Sequence, residues 1–458
     1  MNVIYIVIDT LRADHLGCYG YFRKTSPIID ELAKEGVLFE DFHASAIPTG
    51  PGFTCLITGL YAINHKFYVT PFGLPNVINF DDDIPTLAEI IWENRGYTTV
   101  AFDNLINFRS HMKQFVRGYE YYINVSRNPL WIHNQIVGGT VNERLIPWIK
   151  HHAKENFFAF VHYWDPHCPY NQPEEYRHLF HHKKGDILDL KVSQAKAGYS
   201  YVPGWGKVGE FWEEDKAKKP IEIPDRGERT IDLYDGEIRY TDHLIGQILE
   251  VLRKTKILNN TIIIITSDHG EELGQHEIFG RKMYGHAGLH EPIVFVPLIL
   301  WQPKILPKGK KIKGFAGHTD IVPTILDLMG MKKRPKLDGK SLLPIIEGKE
   351  KPKDKIFMES DTLILPASRA VLEDGWKYIQ TLDGERQLYY LEDDPMELVN
   401  LANKKEEKCL EMKRKLEKWV YDNIGRNPDP MFEVRKMVEH AQKRQPYISR
   451  FKLPWGLK

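Results

Sequence analysis

Thr49, in the string IPTGPGFTCLITG (residues 47–59), is the first residue whose type and setting could do chemistry. Gly-Pro-Gly followed by an apolar run reads as a tight turn feeding a short helix, which sets the hydroxyl beside free backbone N–H groups at the helix start. Such a hydroxyl serves either as a nucleophile or as a helix cap. Two acidic positions lie far from it along the chain. Asp9 closes the apolar run VIYIVI, and Asp268-His269 closes TIIIIT just before a glycine. In open α/β sheets ligands gather at the carboxyl ends of strands, so an Asp and an Asp-His pair at two such tips can converge on one divalent cation. The competing reading gives Ser267 and Asp268 to the N-cap of a helix beginning at GEEL.

The elements that must position these residues are legible from periodicity. Continuous apolar, β-branched runs occur at VIYIVI (3–8), TTVAF (98–102), FFAFVHYW (157–164), TIIIIT (261–266) and IVFVPLIL (293–300), as expected of strands covered on both faces. Helical patterns lie between them. SPIIDELAKEG has Ser26 as N-cap, Pro27 in the first turn and Gly36 as C-cap, IPTLAEIIWENRG (84–96) repeats that grammar, and residues 228–254 space their apolar side chains by three and four. This alternation predicts an α/β sandwich around a mostly parallel central sheet flanked by helices. Residues 165–227 have little periodicity and read as an insertion or lid within a catalytic domain spanning 1–348. Past Gly348 the segments IFMESD, WKYIQT and RQLYYL read as an antiparallel meander, followed by a helix over 403–423. Together these form a small C-terminal α+β subdomain (349–424), and a basic, aromatic tail (425–458) packs across the surface.

Sixty-two basic residues balance sixty-two acidic ones, so no overall field favours nucleic acid or an anionic membrane as partner. Affinity for an anion must then come from a local site. Cys18, Cys55, Cys168 and Cys409 are scattered without a CxxC pair, which speaks against a zinc cluster or a disulfide scaffold and for reduced thiols. The chain opens directly on an apolar strand and has no uncharged apolar run of about 18 residues or more, so a cytoplasmic location without membrane insertion is expected.

The strings YIVIDTLRADHLGCYGY, TGLYAINH, HYWDPHCPY, YDGEIRYTDHLIG, IITSDHGEELGQH, GHAGLHEPIVFVPLIL, HTDIVPTILDLMG and LDGKSLLPII follow one another along almost the whole chain. In that order they resemble the sulfatases of the alkaline phosphatase superfamily, and LYYLEDDPMELVNLA resembles the opening of that family's C-terminal subdomain. The resemblance implies that Asp9, Asp268 and His269 bind a divalent metal and that a nucleophile heads the helix ending in LITG. It also implies that His167 contacts the anion or the leaving oxygen, and that His286 stands where many sulfatases carry a lysine. Asn104 falls where the family often has a second basic residue and, with His162, is a candidate for substrate binding. Where relatives add an acid or amide after the first-strand Asp, this chain has Thr10, and its ligation is left open. His65, His276 and His290 rank lower, with His290 where a family tyrosine often stands.

The chain departs from the family at the nucleophile. Sulfatases carry C-x-P-x-R or S-x-P-x-R, whose first residue is oxidised to formylglycine; aligned on Thr58-Gly59, this chain has Thr49, Pro51 and Phe53 at the Cys/Ser, Pro and Arg positions. Threonine cannot yield the aldehyde, because oxidising its secondary alcohol gives a ketone, so no formylglycine is expected. A formylglycine hydrate expels sulfate by breaking its own C–O bond, whereas a threonine ester must be cleaved by a second attack on the central atom, a route suited to phosphorus. Threonine is also the nucleophile in phosphodiesterase and phosphoglycerol-transferase branches of that superfamily. The expected function is therefore a metal-dependent hydrolase in which Thr49, itself a metal ligand, attacks a phosphate mono- or diester or a phosphonate ester. His167 or His286 would protonate the leaving group. The alternatives are an arylsulfatase-like sulfuric ester hydrolase using unmodified Thr49, and a catalytically inactive binding protein in which Thr49 only caps. The ligand set suits manganese, zinc or magnesium and accepts calcium less readily. The expected partner is an anionic ester, small-molecule or glycan; an oligomer is compatible with the sequence.

Overall fold

The computed structural model describes the chain outside residues 69–79, 95, 106–112, 127–136, 181–228, 279–280, 286, 333, 363–365 and 445–458. The strands are β1 (Asn2–Ile8), β2 (Val37–His43), β3 (Ala46–Ile47), β4 (Thr98–Asp103), β5 (Tyr121–Asn124), β6 (Phe157–Tyr163), β7 (Thr261–Thr266), β8 (Glu272–Ile278), β9 (Arg281–Gly285), β10 (Leu298–Trp301), β11 (Lys310–Gly317), β12 (Lys355–Ser360), β13 (Ser368–Glu373), β14 (Trp376–Thr381) and β15 (Arg386–Tyr390). Eight of them form the main sheet in the order β11-β2-β10-β7-β1-β6-β4-β5. Within it only β10 runs against its neighbours. The continuous apolarity of β1, β6 and β7 has its cause here: every residue of these strands is buried, as central strands covered on both faces require.

Helices flank this sheet in two groups. Pro27–Glu35 and Gly138–His152 both contact Arg229–Lys254, and Thr49–Thr58 packs with Leu87–Glu93 and Ile321–Leu328. The second sheet has the order β15-β14-β13-β12-β3, antiparallel except that β3 runs parallel to β12. β3 pairs through Ala46 and Ile47, immediately before Thr49, so the nucleophile candidate leaves the edge of the smaller sheet and enters a helix against the larger one. The division near Gly348 is thus crossed by β3, and we propose it as a change of sheet rather than a separable module.

Four expectations are corrected. The run 293–300 is not one strand: Pro292 opens a short helix, Glu291–Val294, and the strand starts only after Pro297. Ser26 does not cap its helix. Its hydroxyl donates to Asp30 and accepts from the Gly17 amide, and the helix amides of Ile28 and Ile29 are taken instead by Asp242 from the long helix. The meander holds a strand not expected from sequence, β13, between the predicted ones. The region assigned to the tail contains a helix, Pro430–Arg444, anchored by buried Met431 and by Arg435 bonded to the Thr362 carbonyl and paired with Asp361. Of the expected insertion, residues 165–180 are described and carry the short helix Glu174–Arg177; the rest lies outside the described residues. The four cysteines are free thiols.

Candidate active site

β1 lies between β6 and β7, with Val7 level with both His162 and Thr266, so the chain leaves these three strands side by side. Asp9 follows β1 and Asp268-His269 follow β7. One oxygen or nitrogen from each of Asp9, Asp268 and His269 lies within 4.8 Å of the others, and all three side chains are fully buried. After Asp268 the chain forms β8 rather than a helix, which removes the capping reading of Ser267 and Asp268.

The turns that hold these residues are tied by side chains. The Ser267 hydroxyl donates to the His269 carbonyl at 2.6 Å and accepts the Leu11 amide at 2.9 Å, joining the two turns. Tyr234 donates to the Thr10 carbonyl at 2.7 Å and accepts from the Arg12 amide at 2.9 Å. Thr10 itself has φ of +56°, which a β-branched residue adopts only under such constraint. Gly270 is required because a Cβ there would stand 2.2 Å from the Pro292 carbonyl oxygen.

Both oxygens of Asp9, Oδ2 of Asp268 and the Thr10 hydroxyl are buried without a hydrogen-bond partner. Carboxylate oxygens are costly to bury together unless a cation neutralises them. Burial opposes the Asp9 charge, but His162, His167 and His269 outweigh it and hold its pKa below the usual range; Asp268 is pushed up by burial and by Asp9. The His269 ring places Nδ1 2.9 Å from the Gly270 carbonyl, which fixes the proton there and leaves the Nε2 lone pair toward Asp268 Oδ2 at 3.3 Å. A carboxylate oxygen and an imidazole lone pair facing each other fit a divalent metal between them. The donor set therefore fits the metal expected from sequence.

Thr49 is the first residue of its helix, and its hydroxyl lies 3.1 Å from His269 Nε2. It turns toward the ligand cluster, not back to its own helix. Gly52 allows the approach: a Cβ there would meet the Ala46 carbonyl oxygen at 3.0 Å and the Asp268 carbonyl oxygen at 3.1 Å. Phe53, at the family's arginine position, is buried against His162, Phe115 and Phe160 with ring centroids 4.6, 6.3 and 6.1 Å away.

His162 bridges two acids, with Nδ1 2.7 Å from Asp103 Oδ1 and Nε2 3.7 Å from Asp9 Oδ2. Burial disfavours its charge, yet the two carboxylates prevail and raise its pKa to about 9. It thus holds Asp9 in place from behind. Asn104 is buried and its side-chain oxygen accepts the Trp164 indole N–H. His167 directs Nδ1 to the Cys168 carbonyl, and burial lowers its pKa although the charge of Asp9 pulls the other way. His286 lies outside the described residues. Two residues were not singled out from sequence. Asp103 closes β4 as Asp9 closes β1, so the strand-tip rule could have found it. Glu271 is raised to about 8 by burial and by Asp9, and its only sequence signal is adjacency to the Asp-His pair.

The model of the sulfatase family matches residues 1–331, and that of the N-sulphoglucosamine sulphohydrolase C-terminal region matches 274–422. The chain belongs to the sulfatase family of the alkaline phosphatase superfamily. It is accordingly a hydrolase of ester bonds, in a family that uses a divalent metal ion. It is 26% identical over 437 residues to a sulfatase of Formosa agariphila, covering 88% of this chain and 83% of that protein. It is 24% identical to a multifunctional alkaline phosphatase superfamily protein of Trinickia caryophylli, covering 88% of this chain and 91% of that one. Among solved structures it is similar to the phosphonate monoester hydrolase of Agrobacterium radiobacter, with a TM-score of 0.70, 23% identity and coverage of 92% and 96% of the two chains. A structure solved with its substrate D-glucosamine-2-N,6-O-disulfate matches with a TM-score of 0.76 at 18% identity, covering 93% and 99%.

Proposed function

We propose that this sulfatase-family protein hydrolyses a phosphate or phosphonate ester with unmodified Thr49 as nucleophile. The observation that carries the reading is the Thr49 hydroxyl 3.1 Å from His269 Nε2, at the edge of the Asp9, Asp268 and His269 cluster. A bound divalent metal would supply positive charge that lowers the pKa of this hydroxyl and neutralises the ester oxygens. Thr49 Oγ1 releases its proton to solvent and attacks phosphorus in line, while on the opposite side His167 in its protonated form, with Nδ1 held on the Cys168 carbonyl so that Nε2 is the exchanging atom, gives a proton to the departing alkoxide. His286 is the second candidate donor. Water then attacks the Thr49 ester at phosphorus, giving a proton to the histidine left neutral by the first step, and the departing Thr49 oxygen takes a proton from solvent, which restores the hydroxyl. Asp103 and His162 keep Asp9 oriented; Asn104 is proposed to border the substrate, whereas His162, expected to do so from sequence, has both ring nitrogens turned to Asp103 and Asp9 and acts through that ligand.

The charge of the site favours a singly charged ester. Phe53 replaces the family's arginine, and Arg12 is committed to Asp14, at 2.7 and 2.8 Å, and to the Glu271 carbonyl at 3.1 Å. A phosphodiester or phosphonate monoester carries one negative charge near neutral pH, and a phosphate monoester close to two. The likeness to a phosphonate monoester hydrolase is consistent with this choice but does not carry it. A sulfate ester is also singly charged, and the names of the curated relatives favour it as the second reading. Relative kcat/KM on an aryl phosphodiester, an aryl phosphate monoester and an aryl sulfate tests the proposal. The diester is expected to be turned over fastest, and a clear preference for the sulfate would replace the first reading by the second.

A further inference from the structure

We propose that Glu272, His276 and His290 form a second metal site, structural in role, that takes a zinc-like divalent cation. One donor atom of each lies within 4.8 Å of the others, and all three side chains are fully buried. None of them belongs to the Asp9, Asp268 and His269 set. Two imidazoles and a carboxylate are the donors that zinc and related first-row cations prefer.

Three observations go beyond clustering. Oε2 of Glu272 is buried with no hydrogen-bond partner, an uncompensated polar atom on the carboxylate whose other oxygen faces His276. His276 has Nε2 2.9 Å from the Met396 carbonyl oxygen, and His290 has Nε2 3.2 Å from Gln387 Oε1. A ring nitrogen donated to such an oxygen is how proteins orient a ligating imidazole, and in His276 it turns Nδ1 toward Glu272. The two rings also stack face to face, with centroids 4.2 Å apart and planes at 25°. Two buried imidazoles so close are unfavourable as a doubly charged pair, so the stack favours the neutral rings that a metal requires. The charge of Lys377 is matched by Glu291 at 2.9 Å and Glu397 at 2.8 Å, so it adds little net repulsion.

His276 Nδ1 stands 2.6 Å from Glu272 Oε1, a separation that suits a shared proton. Bonds of about 2.1 Å at a tetrahedral angle hold two ligand atoms roughly 3.4 Å apart, so loading opens this pair by under about 1 Å and sends the proton to solvent. Glu272 and His276 lie on β8, just downstream of His269, whereas Gln387 is on β15 and Met396 on the turn after it. The cation would therefore clamp the smaller sheet to the strand leaving the catalytic ligands.

The test uses the full chain with the first site disabled as Asp268→Asn. Titration with cobalt(II) is expected to give one tightly held equivalent with the visible absorption of a four- or five-coordinate ion, and a rise in Tm. Both should vanish in the Asp268→Asn/His290→Gln protein. If that double variant does not fold, the wild-type protein loaded with cobalt(II) and dialysed decides: two equivalents of cobalt support the site, and one overturns it. Binding in Asp268→Asn that His290→Gln leaves unchanged, or no binding at all, would show that a proton and not a metal sits between Glu272 and His276.

Discussion

At the scale of single residues, the central contrast is between Thr49 as nucleophile and Thr49 as cap. Its hydroxyl faces His269, so removing it should stop chemistry without unfolding the helix. Thr49→Ala is expected to lower kcat by about 10³-fold or more while metal content and Tm stay near wild type, as measured by steady-state kinetics, metal analysis and calorimetry. Retained turnover would return Thr49 to a structural role. The ligands make a different prediction. In Asp268→Asn the first site keeps its shape but loses the charge facing Asp9, so the metal affinity of that site should fall by roughly 100-fold or more, together with activity, in an isothermal titration. Asp9, Asp268 and His269 were legible in the sequence because strand tips in an α/β sheet are few and acids there stand out. Asp103 was equally legible by that rule but hid behind Asn104, to which a family role was attached. Glu272, His276 and His290 offered no pattern: the oxygens that orient the two histidines come from Met396 and Gln387, about 100 residues downstream.

At the scale of elements, the Thr49–Thr58 helix is placed by contacts that tolerate no added carbon. Gly52→Ala would push its first turn away from the Asp268 backbone, because the new Cβ meets two carbonyl oxygens at 3.0 and 3.1 Å. A shift of even part of an ångström at a nucleophile costs much of its reactivity, so kcat is expected to drop about 10- to 100-fold with Tm only slightly lowered. Loss of fold without loss of specific activity would contradict this placement. The Pro27–Glu35 helix shows why caps are hard to read locally. Its sequence offers Ser26, yet Asp242, more than 200 residues away, takes the amides of Ile28 and Ile29 at 2.9 and 2.8 Å. The strands were readable because burial on both faces leaves continuous apolarity. The 293–300 run misled for the same reason, since a short buried helix and a buried strand share that composition.

At the scale of the whole molecule, the segment after β6 is held to the long Arg229–Lys254 helix through a buried acid pair. Burial raises the carboxyl of Asp165 to about 6, and burial together with the charge of Asp165 raises Glu237 well above the usual range. The native state thus keeps protons that the unfolded chain releases above about pH 4. The stability they contribute is present at low pH and is lost as pH rises through about 6 and beyond. Denaturant midpoints at pH 5 and pH 8 should therefore differ more in the wild type than in Asp165→Asn; an equal difference in both would refute the shared proton. The fold class was legible throughout, because alternating helical and apolar segments fix a sandwich, whereas the joining of two sheets through β3 rests on two residues that no periodicity marks. The account as a whole turns on one covalent bond. Rapid acid quench during turnover of an aryl phosphodiester, followed by peptide mass analysis, should find the phosphoryl ester on Thr49. Full turnover with Thr49 unmodified, or the adduct on another side chain, would contradict it.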